Sequence, residues 1–253
     1  MLLQERLYHI MNIIHSKSFV TIKELMDELD VSKSTINRDL IELEKRGMVK
    51  RERGGATAVE ISKTLSTFNE MPVVDKENLS ADAKRIICEK AVENVKDGDC
   101  IYIDGGSTPA YLIQGLLRKR VKIVTASTYL LRKIPSSFQE EVYLLGGEFH
   151  FGYDMSVGTM ACDMLHSFNF DHGFFSTNGI NLDTGEVYVF DVKVGAVKLE
   201  AMKRCNRNYL LVDDSKFNVK ALCTWTELSA FTNVYVNMFS KERKLPDNFI
   251  ICS

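Results

Sequence analysis

The sequence predicts an α/β protein in which a small winged helix-turn-helix precedes a larger domain built on a mostly parallel sheet. Residues 1–56 show three helix-period apolar stripes, then a short alternating run ending in two glycines. From Ser80 onward, short apolar runs alternate with stretches long enough for a helix, the pattern of strands covered on both faces. Residues 57–80 hold no sustained period and read as a linker, which leaves 81–253 for the second domain.

In the first domain, Leu3, Leu7, Ile10 and Ile14 mark one helix face, and Ser18-Phe19-Val20 reads as extended. Thr21 is an N-cap with Glu24 at the capping-box spacing, starting a short helix with Ile22, Leu25, Met26 and Leu29 inward. Ser32 is the next N-cap, and the third helix runs to about Arg46 with Ile36, Leu40 and Leu43 inward and Gly47 ending it. Met48 to Gly55 then forms a hairpin wing. The second and third helices, about 20–39, make a helix-turn-helix.

With its apolar side buried, the third helix exposes Lys33, Ser34, Thr35, Asn37 and Arg38, and the wing adds Lys50, Arg51 and Arg53. Arginine and asparagine suit base edges, and the hydroxyls and lysines suit phosphates. Thr21 and Ser32 complete the set expected near DNA. The whole chain is −2 and residues 1–56 hold one more base than acid, so the docking face rests on charge placement, not total charge. An interaction module with a solvated charged surface is the alternative reading.

In the second domain a helix carrying Cys88, Ala91, Val92 and Val95 leads to seven apolar runs: Cys100–Ile103, Val121–Val124, Val142–Leu145, Phe174-Phe175, Tyr209–Val212, Val234–Val236 and Phe249–Cys252. In an open parallel sheet a ligand sits beyond the carboxyl ends of the strands. Asp104-Gly105-Gly106-Ser107-Thr108, then Pro109 at a helix start, has the composition of a phosphate cradle. Polar ends follow the other runs: Thr125 and Ser127; Gly146, Gly147 and Glu148; Asn178 and Gly179; Asp213 and Lys216. Lys216 suits a phosphate, and Asp104 and Asp191 suit sugar hydroxyls.

The chain is 45% apolar and 26% charged, a balance that supports a packed core, and no apolar run is long enough to cross a membrane. MLLQERLYHI lacks the layout of a secretion signal, and a cytoplasmic location is expected. Six dispersed cysteines read as packed small hydrophobes, not as metal ligands. No cofactor is expected.

Thr35-Ile36-Asn37-Arg38-Asp39-Leu40, Leu43-Glu44 and Arg53-Gly54-Gly55-Ala56 closely resemble the DNA-binding domain of DeoR-family bacterial transcription regulators. Ile103 to Thr108, Leu145 to Glu148, Asn178-Gly179-Ile180, Phe190-Asp191 and Val212 to Phe217 resemble that family's effector domain. The resemblance implies a ribose-5-phosphate-isomerase-like fold, a phosphorylated-sugar effector and altered operator affinity, with a homodimer or homotetramer suiting paired half-sites. It also places Lys198 at the effector site. Three positions depart from the family pattern: Asn37 in place of Arg or His, Ala126 within Thr125-Ala126-Ser127, and Val194 in place of a Glu.

The rival function is a sugar-phosphate isomerase carrying a DNA-binding tail. Enolisation needs a carboxylate base at hydrogen-bond distance from its proton. The resemblance places the isomerase's Glu just before a lysine, and here Val197 stands before Lys198; nothing singles out Glu200 or Glu186. No enzyme is expected.

Overall fold

Local caps and one apolar face per helix build the N-terminal unit. The computed structural model describes residues 3–17, 19–45, 49–58, 72–237 and 245–252. Leu7, Ile10 and Ile14 are buried on α1 (Leu3–Lys17), while Leu3 at its start stays exposed. After β1 (Phe19–Thr21), Thr21 caps α2 (Ile22–Leu29): its Oγ1 accepts from Glu24 N at 3.1 Å, and its own N–H donates to the Glu24 carboxylate at 2.8 Å. That hydrogen bond from the Thr21 backbone holds the Glu24 carboxyl below its ordinary pKa. Ser32 Oγ accepts from Thr35 N at 3.3 Å at the head of α3 (Lys33–Lys45).

The wing is β2 (Val49–Glu52) and β3 (Gly55–Ala58), with β3 pairing antiparallel to both β2 and β1. Gly54 turns the hairpin at φ +89°, and a Cβ on Gly55 would lie 2.3 Å from Val20 O, so both glycines are required. Ser18, Arg46, Gly47 and Met48 lie outside the described residues. Arg6 donates to buried Asp39, with Nη2 2.9 Å from Oδ1, and so ties α1 to α3.

The second unit follows α4 (Ala81–Val92), β4 (Cys100–Ile103), α5 (Leu112–Leu116), β5 (Lys122–Thr125), α6 (Thr128–Leu131) and β6 (Val142–Leu144). It continues through β7 (Glu148–His150), β8 (Met155–Val157), α7 (Thr159–Leu165), β9 (Phe170–Phe175), β10 (Gly179–Ile180) and β11 (Glu186–Val189). The last elements are α8 (Val192–Lys203), β12 (Cys205–Val212), β13 (Cys223–Glu227), β14 (Asn233–Val236) and β15 (Phe249–Ile251).

Seven strands form one parallel sheet in the order β15-β14-β12-β9-β4-β5-β6, and each of the seven expected apolar runs supplies one of them. One face packs Ile87, Ala91, Leu112 and Leu116; the other packs Val157, Ala161, Val194 and Val197. Two small antiparallel sheets, β10-β11-β13 and β7-β8, are additions that the sequence reading lacked.

The chain divides into units Met1–Leu65 and Ser66–Ser253. Residues 72–80, read as part of the linker, are packed onto the second unit through buried Val73 and Leu79; residues 59–71 of that linker lie outside the described residues. Among the described residues no helix is long and apolar enough to cross a membrane.

Candidate functional site

On α3, the burial of Ile36, Asp39, Leu40 and Leu43 turns Lys33, Ser34 and Arg38 to solvent and leaves Thr35 and Asn37 half-buried. Asn37 Nδ2 donates to Lys33 O at 3.0 Å, a local bond that a base edge must displace. Lys50, Arg51 and Arg53 are exposed on the wing. Arg51 pairs with Glu44 at 3.5 Å and Lys50 with Glu52 at 3.9 Å, while Lys33, Arg38 and Arg53 make no ion pair among the described residues. Three uncommitted cations and a helix N-terminus on one small unit suit phosphate and base contacts.

In the sheet, the chain runs outward from β4 to β5 and β6, then crosses back to β9 and onward to β12, β14 and β15. The strand order therefore reverses between β4 and β9, where an α/β sheet opens a crevice at its carboxyl edge. Asp104 follows β4 and Ser176 follows β9. Ser176 donates to Asp104 Oδ2 from both N (2.9 Å) and Oγ (2.7 Å), and Lys198 of α8 pairs with the same oxygen. Lys198 also donates to Ser176 O at 3.1 Å. Both charges are buried, and Asp104 Oδ1 finds no partner among the described residues. Asp104 and Lys198 thus tie the carboxyl ends of β4 and β9 to α8.

In the loop after β4, a Cβ on Gly106 would lie 2.5 Å from Ser176 Oγ, so glycine is needed there for close approach, not for a left-handed turn. Gly105 packs against Met155, and Ser107 and Thr108 are buried. The helix expected at Pro109 is a single 3-10 turn, Pro109–Tyr111, leading into the five-residue α5. So short a helix contributes little dipole, and the positive charge comes from elsewhere.

It comes from Lys84, which the sequence reading missed. Lys84 is 3% exposed, and its Nζ donates to Ser107 Oγ at 3.0 Å and to Lys76 O. Burial pushes its pKa down to about 8; Asp213 opposes that fall, and Lys216 and Lys76 add to it. A buried ammonium flanked by two further lysines at a serine-glycine loop has the charge and the donors to hold an anion.

The other expected residues fall into two groups. Asp213 and Lys216, after β12, join the Lys84 corner; Asp213 Oδ1 accepts from Ser215 N at 3.1 Å and caps the turn that presents Lys216. Asp191 caps α8 by accepting from Val194 N at 2.9 Å and lies 3.5 Å from His150 Nε2. Asn178 Oδ1 accepts from Phe190 N at 3.3 Å beside Gly179 at the start of β10. Thr125 and Ser127 are fully buried, and both accept from backbone: Thr125 Oγ1 from Ser127 N (3.1 Å), Ser127 Oγ from Leu130 N (3.1 Å). Gly146 and Gly147 lead into Glu148, which is exposed and held by Lys193 at 2.7 Å.

Val194 and Val197 are buried in the core. Glu200 pairs with Lys203 and His166, and Glu186 accepts from Thr184, Tyr188 and Thr224. Neither carboxylate has a partner at the Lys84–Ser107 corner.

Residues 6–62 match the DeoR-like helix-turn-helix domain, and residues 79–237 match the DeoR C terminal sensor domain. The chain is 29% identical over 243 residues to the lactose phosphotransferase system repressor of Staphylococcus aureus (strain NCTC 8325 / PS 47), covering 94% of each. To the repressor of the same name from Lactococcus lactis subsp. lactis it is 31% identical over 218 residues, covering 85% of this chain and 83% of that one. Ribose 5-phosphate isomerase A from Methanocaldococcus jannaschii overlays at a TM-score of 0.41, with 19% identity over 54% of each chain. The sensor match alone spans more than half of the sequence, so the chain belongs to the DeoR family of DNA-binding transcription regulators.

Proposed function

We propose that this protein is a cytoplasmic repressor of a carbohydrate operon, acting as a homodimer or homotetramer on paired half-sites. Operator DNA is read by α3 and the wing, and a phosphorylated sugar in the crevice changes operator affinity. The relatives are named for a lactose phosphotransferase system, which supports a sugar derivative as the effector class. The observation that carries the reading is the buried Lys84 ammonium on Ser107. The phosphate sits against Lys84, Lys216 and Ser107, and the sugar lies toward Asp191 and Asn178.

Melting the protein against a panel of phosphorylated sugars tests this. A true effector raises Tm by mass action, and a panel in which phosphorylated and unphosphorylated sugars act alike removes phosphate from the account.

The effector's affinity has a predictable pH dependence. Unliganded Lys84 loses its proton around pH 8, and a bound dianion raises that pKa, so binding takes up a proton. Affinity then falls by about tenfold per pH unit above the unliganded pKa, and calorimetry in buffers of different ionisation enthalpy counts the proton directly. Constant affinity from pH 7 to 9 contradicts the assignment.

On the DNA side, Arg38→Ala should weaken operator binding by about 1–3 kcal/mol if it reads a base. Anisotropy titration at fixed salt measures this, and an unchanged Kd removes Arg38 from the reading set.

A further inference from the structure

Residues 72–80 lie across the second unit as a strap. Val73 packs with Ala110 and Tyr129, and its N–H donates to Gly152 O at 3.1 Å. Glu77 pairs with Lys133 and accepts at its carbonyl from Tyr111 Oη at 2.9 Å. The Lys76 ammonium lies 5.7 Å over the Tyr153 ring. These partners come from the segment after the glycine loop, from α6 and from the β7–β8 hairpin, which follow β4, β5 and β6 at their carboxyl ends.

The decisive contact is at Lys76. Its carbonyl accepts from Lys84 Nζ, the same nitrogen that donates to Ser107 Oγ. An ammonium has three N–H donors, and these two acceptors leave one for an anion. Lys76 is also close enough for its charge to act on Lys84. A dianion at Ser107 would therefore draw the Lys76 side chain inward and hold Lys84 in its charged form. A charged donor strengthens the bond to the strap carbonyl, and the Lys76 ammonium exchanges its place over the Tyr153 ring for the anion.

We propose that the strap is a wall of the effector site: Lys76 is an anion partner supplied by the strap itself, and phosphate binding and strap docking are one event. This rests on the phosphate reading of the Lys84 corner and adds the route by which that site is coupled to the segment leading to the DNA-binding unit. The surface chemistry is right for this, since an extra lysine and a tightened carbonyl bond both answer to the same negative charge.

Amide hydrogen exchange on the full chain tests it, with saturating inorganic phosphate compared with chloride at matched ionic strength. The amides of Asp75, Lys76, Glu77 and Leu79, bonded within the docked strap, and of Val73, bonded to Gly152 O, should slow by about fivefold or more, as should residues 105–108. In Lys76→Met, 105–108 should still be protected at higher phosphate, with Kd raised about fivefold or more and strap protection reduced. Protection of 105–108 with unchanged or faster strap exchange overturns the proposal and leaves the phosphate site standing. No protection at either segment removes both.

Discussion

Lys84→Met should lower affinity for a phosphorylated effector about a hundredfold while leaving operator binding intact. The estimate follows from truncating one partner of a buried, hydrogen-bonded charge pair, which costs about 2–5 kcal/mol of binding. Methionine matches the lysine stem in shape but cannot donate, so Ser107 Oγ and Lys76 O each lose a bond in the unliganded protein. A modest fall in stability is expected from that loss. It is offset in part because a buried ammonium no longer needs accommodating. Calorimetry with the effector found by thermal screening gives the affinity, and anisotropy with labelled operator gives the DNA side. A variant that binds effector as the native protein does would place the anion elsewhere.

The largest effect on stability is expected at Asp104→Ala. Removing this carboxylate strands the Lys198 ammonium in the core and takes two hydrogen bonds from Ser176. Breaking a buried ion pair from one side costs about 3–5 kcal/mol. Urea unfolding should show a lower midpoint at unchanged slope. The double variant Asp104→Ala with Lys198→Met should recover most of the loss, because no charge is left unpaired. Additive losses in the double variant would mean that the two residues act independently and that the carboxyl ends of β4 and β9 are held by something else.

The seven strands of the main sheet were legible because the inner strands of a sheet covered on both faces are continuous apolar runs, and the edge strand β6 keeps that pattern although Tyr143 and Leu144 are exposed. The small sheet β10-β11-β13 was not: β10 is only two residues long, β13 alternates with polar residues and pairs at a distance, and the apolar run of β11 was passed over. The strap was also hidden. Only Val73 and Leu79 are buried in it, a spacing that belongs to no regular element. Its docking depends on backbone carbonyls, which have no signature in sequence.

The buried charges did leave a trace. Lys84 lies one turn before Cys88 on the stripe that continues through Ala91 and Val95; Lys198 sits between Val194 and Ala201; Asp39 sits between Ile36 and Leu43. In each case a charged residue occupies an apolar position of a helix. All three prove buried, Lys84 and Lys198 in the second unit and Asp39 on the inner face of the reading helix itself. The residues chosen for their loop chemistry fared unevenly: Ser107 and Lys216 share the Lys84 corner, whereas Thr125 and Ser127 are tied to backbone.

The most direct test is to follow the Lys84 ammonium by nuclear magnetic resonance through a pH titration, with and without a saturating phosphorylated sugar. The unliganded midpoint should lie near 8, well below the ordinary lysine value of 10.5, and should move upward when the ester is bound. A midpoint that stays in place while the ester is demonstrably bound would show that its phosphate does not rest on Lys84.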